Sequence, residues 1–118
     1  MTRNEYLAAI SKCNIDQHKV VTVEEKYHNE LPNIIKEIIS FSEDTIIFDD
    51  EWRMLSFSEI IEAEQDLHVD FVKMDIIPLV DCGENNFIVY DFEDKMWSKF
   101  NIIDECFFKK KAMFNELF

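Results

Sequence analysis

Four groups of residues have side chains suited to chemistry. Asp66, His68 and Asp70 alternate behind Glu62 and Glu64. On one strand face they would offer three metal ligands. The stretch crosses the expected end of a helix, however, so solvated charge is the reading. Asp49-Asp50-Glu51 is a carboxylate run of the kind that hard cations take. Calcium loops alternate their ligands and turn sharply on a glycine. Neither feature is present, so these acids read as a polar turn between strands. Cys13 and His18 lie five apart with no second pair, and two ligands do not make a zinc site. Cys106 falls near an expected helix start, where the dipole can depress a thiol pKa; a small, buried apolar role is the reading.

There is no G-x-S-x-G, no glycine-rich phosphate loop and no H-E-x-x-H. One glycine in the whole chain leaves no means of cradling a phosphate. With 25 acidic residues, any two carboxylates can be paired on paper, so no acid–base pair stands out without geometry. The sequence therefore predicts no catalytic residue, no cofactor and no metal, and not an enzyme.

Composition narrows the field further. The 118 residues are 47% hydrophobic and 14% aromatic, a core-forming mixture suited to one domain over residues 1–118. Twelve basic residues face 25 acidic ones, giving a net charge of −13. Such a chain repels phosphate backbones and anionic lipid, so nucleic-acid and membrane-surface partners are excluded. The longest clean apolar run, Ile76–Val80, is far short of the ~20 residues of a spanning helix. The Tyr6–Ile10 run is too short for a signal peptide. Three cysteines with no C-x-x-C read as free thiols, and no N-x-S/T acceptor occurs. A cytoplasmic protein is expected.

The charge is unevenly spread. Residues 1–36 balance five basic against five acidic side chains. Residues 37–94 hold only Arg53 and Lys73 against 17 acids. Residues 95–118 hold five basic and three acidic side chains. Acids are rarely buried unpaired, so much of the central charge must share a surface. Such a surface either aids solubility or docks a basic partner.

The elements that would position these groups can be read from caps and periodicity. Thr2-Arg3-Asn4-Glu5 has capping-box spacing ahead of a short first helix. Thr22-Val23-Glu24-Glu25 has the same spacing and predicts the start of a second. Pro32 suits the first turn of a third, whose stripe is Ile34, Ile35, Ile38 and Ile39 and whose end is Ser42-Glu43-Asp44. Strands are expected at Thr45–Phe48 and Trp52–Leu55. Ser56-Phe57-Ser58-Glu59 is a third capping box, with Leu55 and Ile60 at the two positions of a hydrophobic staple, and predicts a helix over 57–65. Val69–Lys73 alternates like a short strand. Asp75–Asp81 reads as a strand that either lies at an edge or bends at Pro78. Phe87–Phe92 and Met96–Phe100 read as a hairpin across Glu93-Asp94-Lys95. Asp104–Phe118 reads as a closing helix with Ile103, Phe107, Phe114, Leu117 and Phe118 on one stripe. Helices first, then strands with one inserted helix and a C-terminal helix, predict an α+β fold with a central antiparallel sheet.

Three stretches in this order resemble the SUKH superfamily, which includes bacterial toxin-immunity proteins and a fungal regulator of cell-wall synthesis. They are Leu31-Pro32 opening a helix through Ile39, Trp52–Leu55 running into Ser56–Ile60, and Ile76–Gly83 followed by Asn86–Asp91. The Phe107–Leu117 segment is similar to the family's last helix. The resemblance covers about residues 20–118. Two turns depart from the family pattern: Phe41–Asp44 stands where an Asn-Gly turn is common, and Glu93-Asp94-Lys95 where a glycine is. The resemblance implies helices around an antiparallel sheet and no catalysis. For bacterial members it implies a cytosolic protein that binds and neutralises a toxin, often a nuclease or deaminase.

The leading expectation is therefore a non-enzymatic immunity protein whose acids contact a basic toxin domain. The candidate contacts are Asp49, Asp50, Glu51, Glu62, Glu64, Asp66 and Glu84, with Trp52 either an anchor or a core residue. The alternative is a regulatory or scaffolding interaction module with a non-toxin partner. A third reading is a metal-dependent hydrolase using His68 and nearby carboxylates. No pattern in the sequence sets an oligomeric state.

Overall fold

The Thr2 hydroxyl accepts from the Glu5 amide while the Glu5 carboxylate accepts from the Thr2 amide, and this reciprocal cap opens α1, Arg3–Ile10. The computed structural model describes residues 1–41 and 44–118. The second helix, α2, is Gln17–Tyr27 and starts five residues before the predicted cap. Asp16 caps it by accepting from the Lys19 amide at 3.2 Å. Thr22 lies inside the helix and donates to the His18 carbonyl at 2.8 Å, the other use a helical threonine has for its hydroxyl. The earlier start brings Val20 onto the buried stripe beside Val23 and Tyr27.

Pro32 accepts the first hydrogen bonds of α3, Asn33–Phe41, from the Ile35 and Lys36 amides. The expected stop at Ser42-Glu43 lies outside the described residues. Short strands β1, Ile46–Ile47, and β2, Arg53–Met54, follow. The Ser56–Glu59 box forms as read and opens α4, Phe57–Leu67, with Leu55 and Ile60 both buried. Val69–Lys73 is not a strand. It runs into the one-turn helix α5, Phe71–Met74, whose Val72 amide is held by the Glu64 carboxylate at 3.2 Å. That tie, and a left-handed Asp75 (φ 62°), turn the chain out of α4 and into the sheet.

The remaining strands are β3, Ile76–Asp81; β4, Asn86–Asp91; β5, Met96–Asn101; and β6, Cys106–Lys111. All six strands form one antiparallel sheet in sequence order, β1 to β6. The α+β class with a central antiparallel sheet is therefore what the chain adopts. Pro78 sits in the third strand, not at an edge, and the register shifts between Pro78 and Val80; the strand bends where the missing N–H interrupts the ladder. The predicted closing helix is the main correction. Asp104 and Glu105 lie in a turn, Cys106–Lys111 is a strand, and only a 3-10 turn, Phe114–Glu116, remains of the helix. A helix would have carried Lys110 and Lys111 on its apolar stripe. Pairing with β5 instead sets Phe107 against Phe100 and leaves the lysines exposed.

Ile76, Ile77, Leu79 and Val80 of β3 are fully buried, so both faces of the sheet centre are covered. One face meets α5 through Phe71 on Phe100. The other carries Tyr90 opposite Trp97, with Phe114 packed on Trp97 at 4.8 Å. Each such apolar side chain contributes roughly 1.5–3 kcal/mol by leaving water.

Candidate partner-binding surface

In an antiparallel meander alternate turns fall at the same end. Here the β1–β2, β3–β4 and β5–β6 turns share one end, because Arg53 pairs with Asp81, Asp81 with Phe87, and Asn86 with Asn101. All three turns are acidic. The first holds Asp49, Asp50 and Glu51, the second Glu84, and the third Asp104 and Glu105. Each places a glutamate in the left-handed region: Glu51 at φ 70°, Glu84 at 54° and Glu105 at 51°. That backbone costs an L-residue about 1–2 kcal/mol, and glycine or asparagine would carry less of it. The Ile102 amide donates to the Asn85 carbonyl at 2.9 Å, fastening the third turn to the second. The helical spacing of the neighbouring aromatics hides Asp104 and Glu105 in the sequence, because it predicts a helix where the chain turns. Their signal was Asn101, whose side chain accepts from the Ile103 and Asp104 amides at 3.0 Å as turn asparagines do.

Two of the seven candidate acids are engaged with internal cations. Asp50 forms an ion pair with Arg3, whose hydrogen bond holds that carboxyl below its ordinary range. Glu64 faces Lys26 at 3.6 Å and also binds the Val72 amide, so it stabilises the α4–α5 corner. Asp49, Glu51, Glu62, Asp66 and Glu84 are exposed and have no ion-pair partner among the described residues. Trp52 is half-buried with two cations against its ring, Arg3 at 4.7 Å and Lys99 at 4.6 Å from the centroid. That contact occupies it within the fold.

Arg53 links the turn end to α4. Its Nη1 lies 2.6 Å from Glu59 and its Nε 3.2 Å from Asp81. Burial opposes the charge on Glu59, but hydrogen bonds from Thr45, the Ser56 amide and Arg53 outweigh it and lower its pKa. One guanidinium thus answers two carboxylates, and the local sum stays negative. Beside it a cleft of about 180 Å³ is lined by Leu55, Ala63, Leu67 and Phe87, with Arg53, Glu59 and Asp66 at its polar side. Cavities of this order, ~150 Å³, hold a benzene-sized group. Glu62 and Asp66 are four apart on α4, whose last turn has no basic residue. Both helix dipole and mutual repulsion work against Asp66 there.

The other sequence candidates stay apart. No helix begins at Cys106, which is exposed on β6. Cys82 is pushed up to about 11, chiefly by burial, and burial also raises Cys13. His68 closes α4 in a left-handed conformation, between Asp66 on the helix and Asp70 at the start of α5. Among the described residues no three His, Cys, Asp or Glu side chains are grouped to hold a metal ion. No helix among them is long and apolar enough to cross a membrane. Comparison with models of known protein families and with curated proteins finds no match.

Proposed function

We propose that this chain is a non-enzymatic binding protein that takes a basic protein partner on the acidic end of its sheet. The observation that carries this reading is the convergence of three acidic turns, in which Asp49, Glu51 and Glu84 have no ion-pair partner among the described residues while Asp50 is held by Arg3, linked through Arg53 to the acidic face of α4. Such a field speeds encounter with a cationic surface and disfavours wrong partners more surely than it adds affinity. Affinity requires a buried anchor. The cleft beside Asp66 suits an arginine or lysine, with apolar walls for the stem and carboxylates for the head.

The resemblance in motif order to SUKH immunity proteins favours a toxin as that partner, with a nuclease or deaminase fitting the charge best because such enzymes carry basic substrate surfaces. The test is capture from the native host on immobilised wild-type protein and on an Asp49→Lys/Glu51→Lys/Glu84→Lys variant. The expected result is a basic protein retained by the wild type alone, released by salt, and toxic unless the two are co-expressed. A neutral or harmless partner would move the assignment to a regulatory module. Equal retention by both columns would remove the acidic end from the interaction.

A further inference from the structure

We infer that β6 is a docking edge for an acidic, extended segment of another protein. This goes beyond the binding at the acidic end and does not depend on it. The sheet overhangs its covering layers by one strand. Trp97, Ser98 and Phe100 of β5 are buried, whereas five of the six residues of β6 are exposed, and among the described residues no strand pairs with its outer edge. The bare strand has two halves. Cys106-Phe107-Phe108 is apolar, with Phe107 42% exposed, and Lys109-Lys110-Lys111 is the chain's only run of three basic residues. Ile103 and Met113 extend exposed apolar surface at either end.

The lysines select the occupant. Lys110 pairs with Asp94, while Lys109 and Lys111 have no ion-pair partner among the described residues. Natural sheets place lysines and bulges on edges to repel unwanted strands. This edge has both, with Lys109 at φ 54° in a bulge and the buried Ser98 hydroxyl donating to the Phe108 carbonyl at 3.1 Å. The device acts against a second copy in particular. Antiparallel self-pairing would set lysines against phenylalanines and crowd six lysines into one ladder. Parallel pairing would set lysine against lysine. A strand with acids opposite Lys109–Lys111 and apolar residues opposite Cys106–Phe108 meets neither penalty, so the same charges that exclude self admit it.

The probe is the capped peptide Glu-Asp-Glu-Val-Ile-Val, which matches that order antiparallel, with Lys-Lys-Lys-Val-Ile-Val as control. Hydrogen exchange and amide shifts of the full chain are followed by NMR at millimolar peptide. The acidic peptide is expected to protect amides of 106–111. The exposed double variant Lys109→Glu/Lys111→Glu should keep its spectral dispersion and bind about tenfold more weakly. Equal binding of the lysine peptide, shifts centred elsewhere, or no protection would overturn the inference. Concentration-dependent protection of β6 without peptide would overturn it in favour of a second copy.

Discussion

The Ile102 amide donates to the Asn85 carbonyl across 2.9 Å. These residues belong to different turns, and the bond holds two acidic loops as one body. Arg53 does the same between Asp81 and Glu59. The acidic end is thus preorganised by its backbone and by one shared cation, so a partner docking there would order little that is not already ordered.

Kinetics should expose the role of the free acids. Reversing Asp49, Glu51 and Glu84 to lysine is expected to slow association with the captured partner about tenfold at low salt. Wild-type and variant rates should converge as salt is raised. Asp50 is left alone, because its reversal would also release Arg3 from its ion pair. Stopped-flow association at two ionic strengths is the measurement, and unchanged rates at low salt would reject the patch.

Stability should move the other way. Glu51, Glu84 and Glu105 hold left-handed backbone that glycine adopts freely. Glu51→Gly is expected to raise stability by about 0.5–1 kcal/mol after glycine's own entropy is subtracted. The urea midpoint should rise while partner association slows. A variant less stable than wild type would show that the glutamate side chain makes a structural contact.

How much of this was legible depends on how local each determinant is. The Ser56–Glu59 cap and the Phe87–Phe100 hairpin are set by neighbouring residues, and both form where expected. The start of α2 was misplaced because Thr22 satisfies its hydroxyl within the helix, a choice its four-residue signature does not reveal. The aromatics of β6 fit a helical stripe, so the sequence predicts a helix there; what decides the matter is the ladder with β5, a partner supplied by tertiary structure. The same helical spacing hides Asp104 and Glu105. Five of the candidate acids have no ion-pair partner among the described residues, but Asp50 and Glu64 do, and those pairings with Arg3 and Lys26 join residues far apart in the sequence.

Acid should reveal the Arg53 cluster. The folded pKa of Glu59 is lowered, so its contribution is fully present above the unfolded carboxyl value of about 4.3 and is lost as pH falls through the lower folded value. The urea midpoint of wild type should therefore drop more steeply between pH 5 and 3 than that of Glu59→Gln. Parallel curves would mean that Glu59 titrates alike in both states. Arg53→Gln, which leaves Glu59 and Asp81 without their shared cation, should destabilise at pH 7 by about 1–2 kcal/mol, the partly exposed site limiting the effect.

The last turn of α4 offers the cleanest separation of folding from binding. Asp66 is exposed at a helix C-terminus, four residues after Glu62, with no cation in that turn. Dipole and neighbour both oppose it. Asp66→Lys should therefore stabilise the protein by roughly 0.5–1 kcal/mol at low ionic strength, and by less in salt. A residue kept only for solubility would give that gain without loss. If Asp66 instead receives the head of a partner's arginine or lysine, the same variant should dissociate from the captured partner at least tenfold faster while melting at a higher temperature. Thermal melts and dissociation rates on one preparation decide between the two, and a stabilised variant with an unchanged dissociation rate would take the anchor away from this cleft.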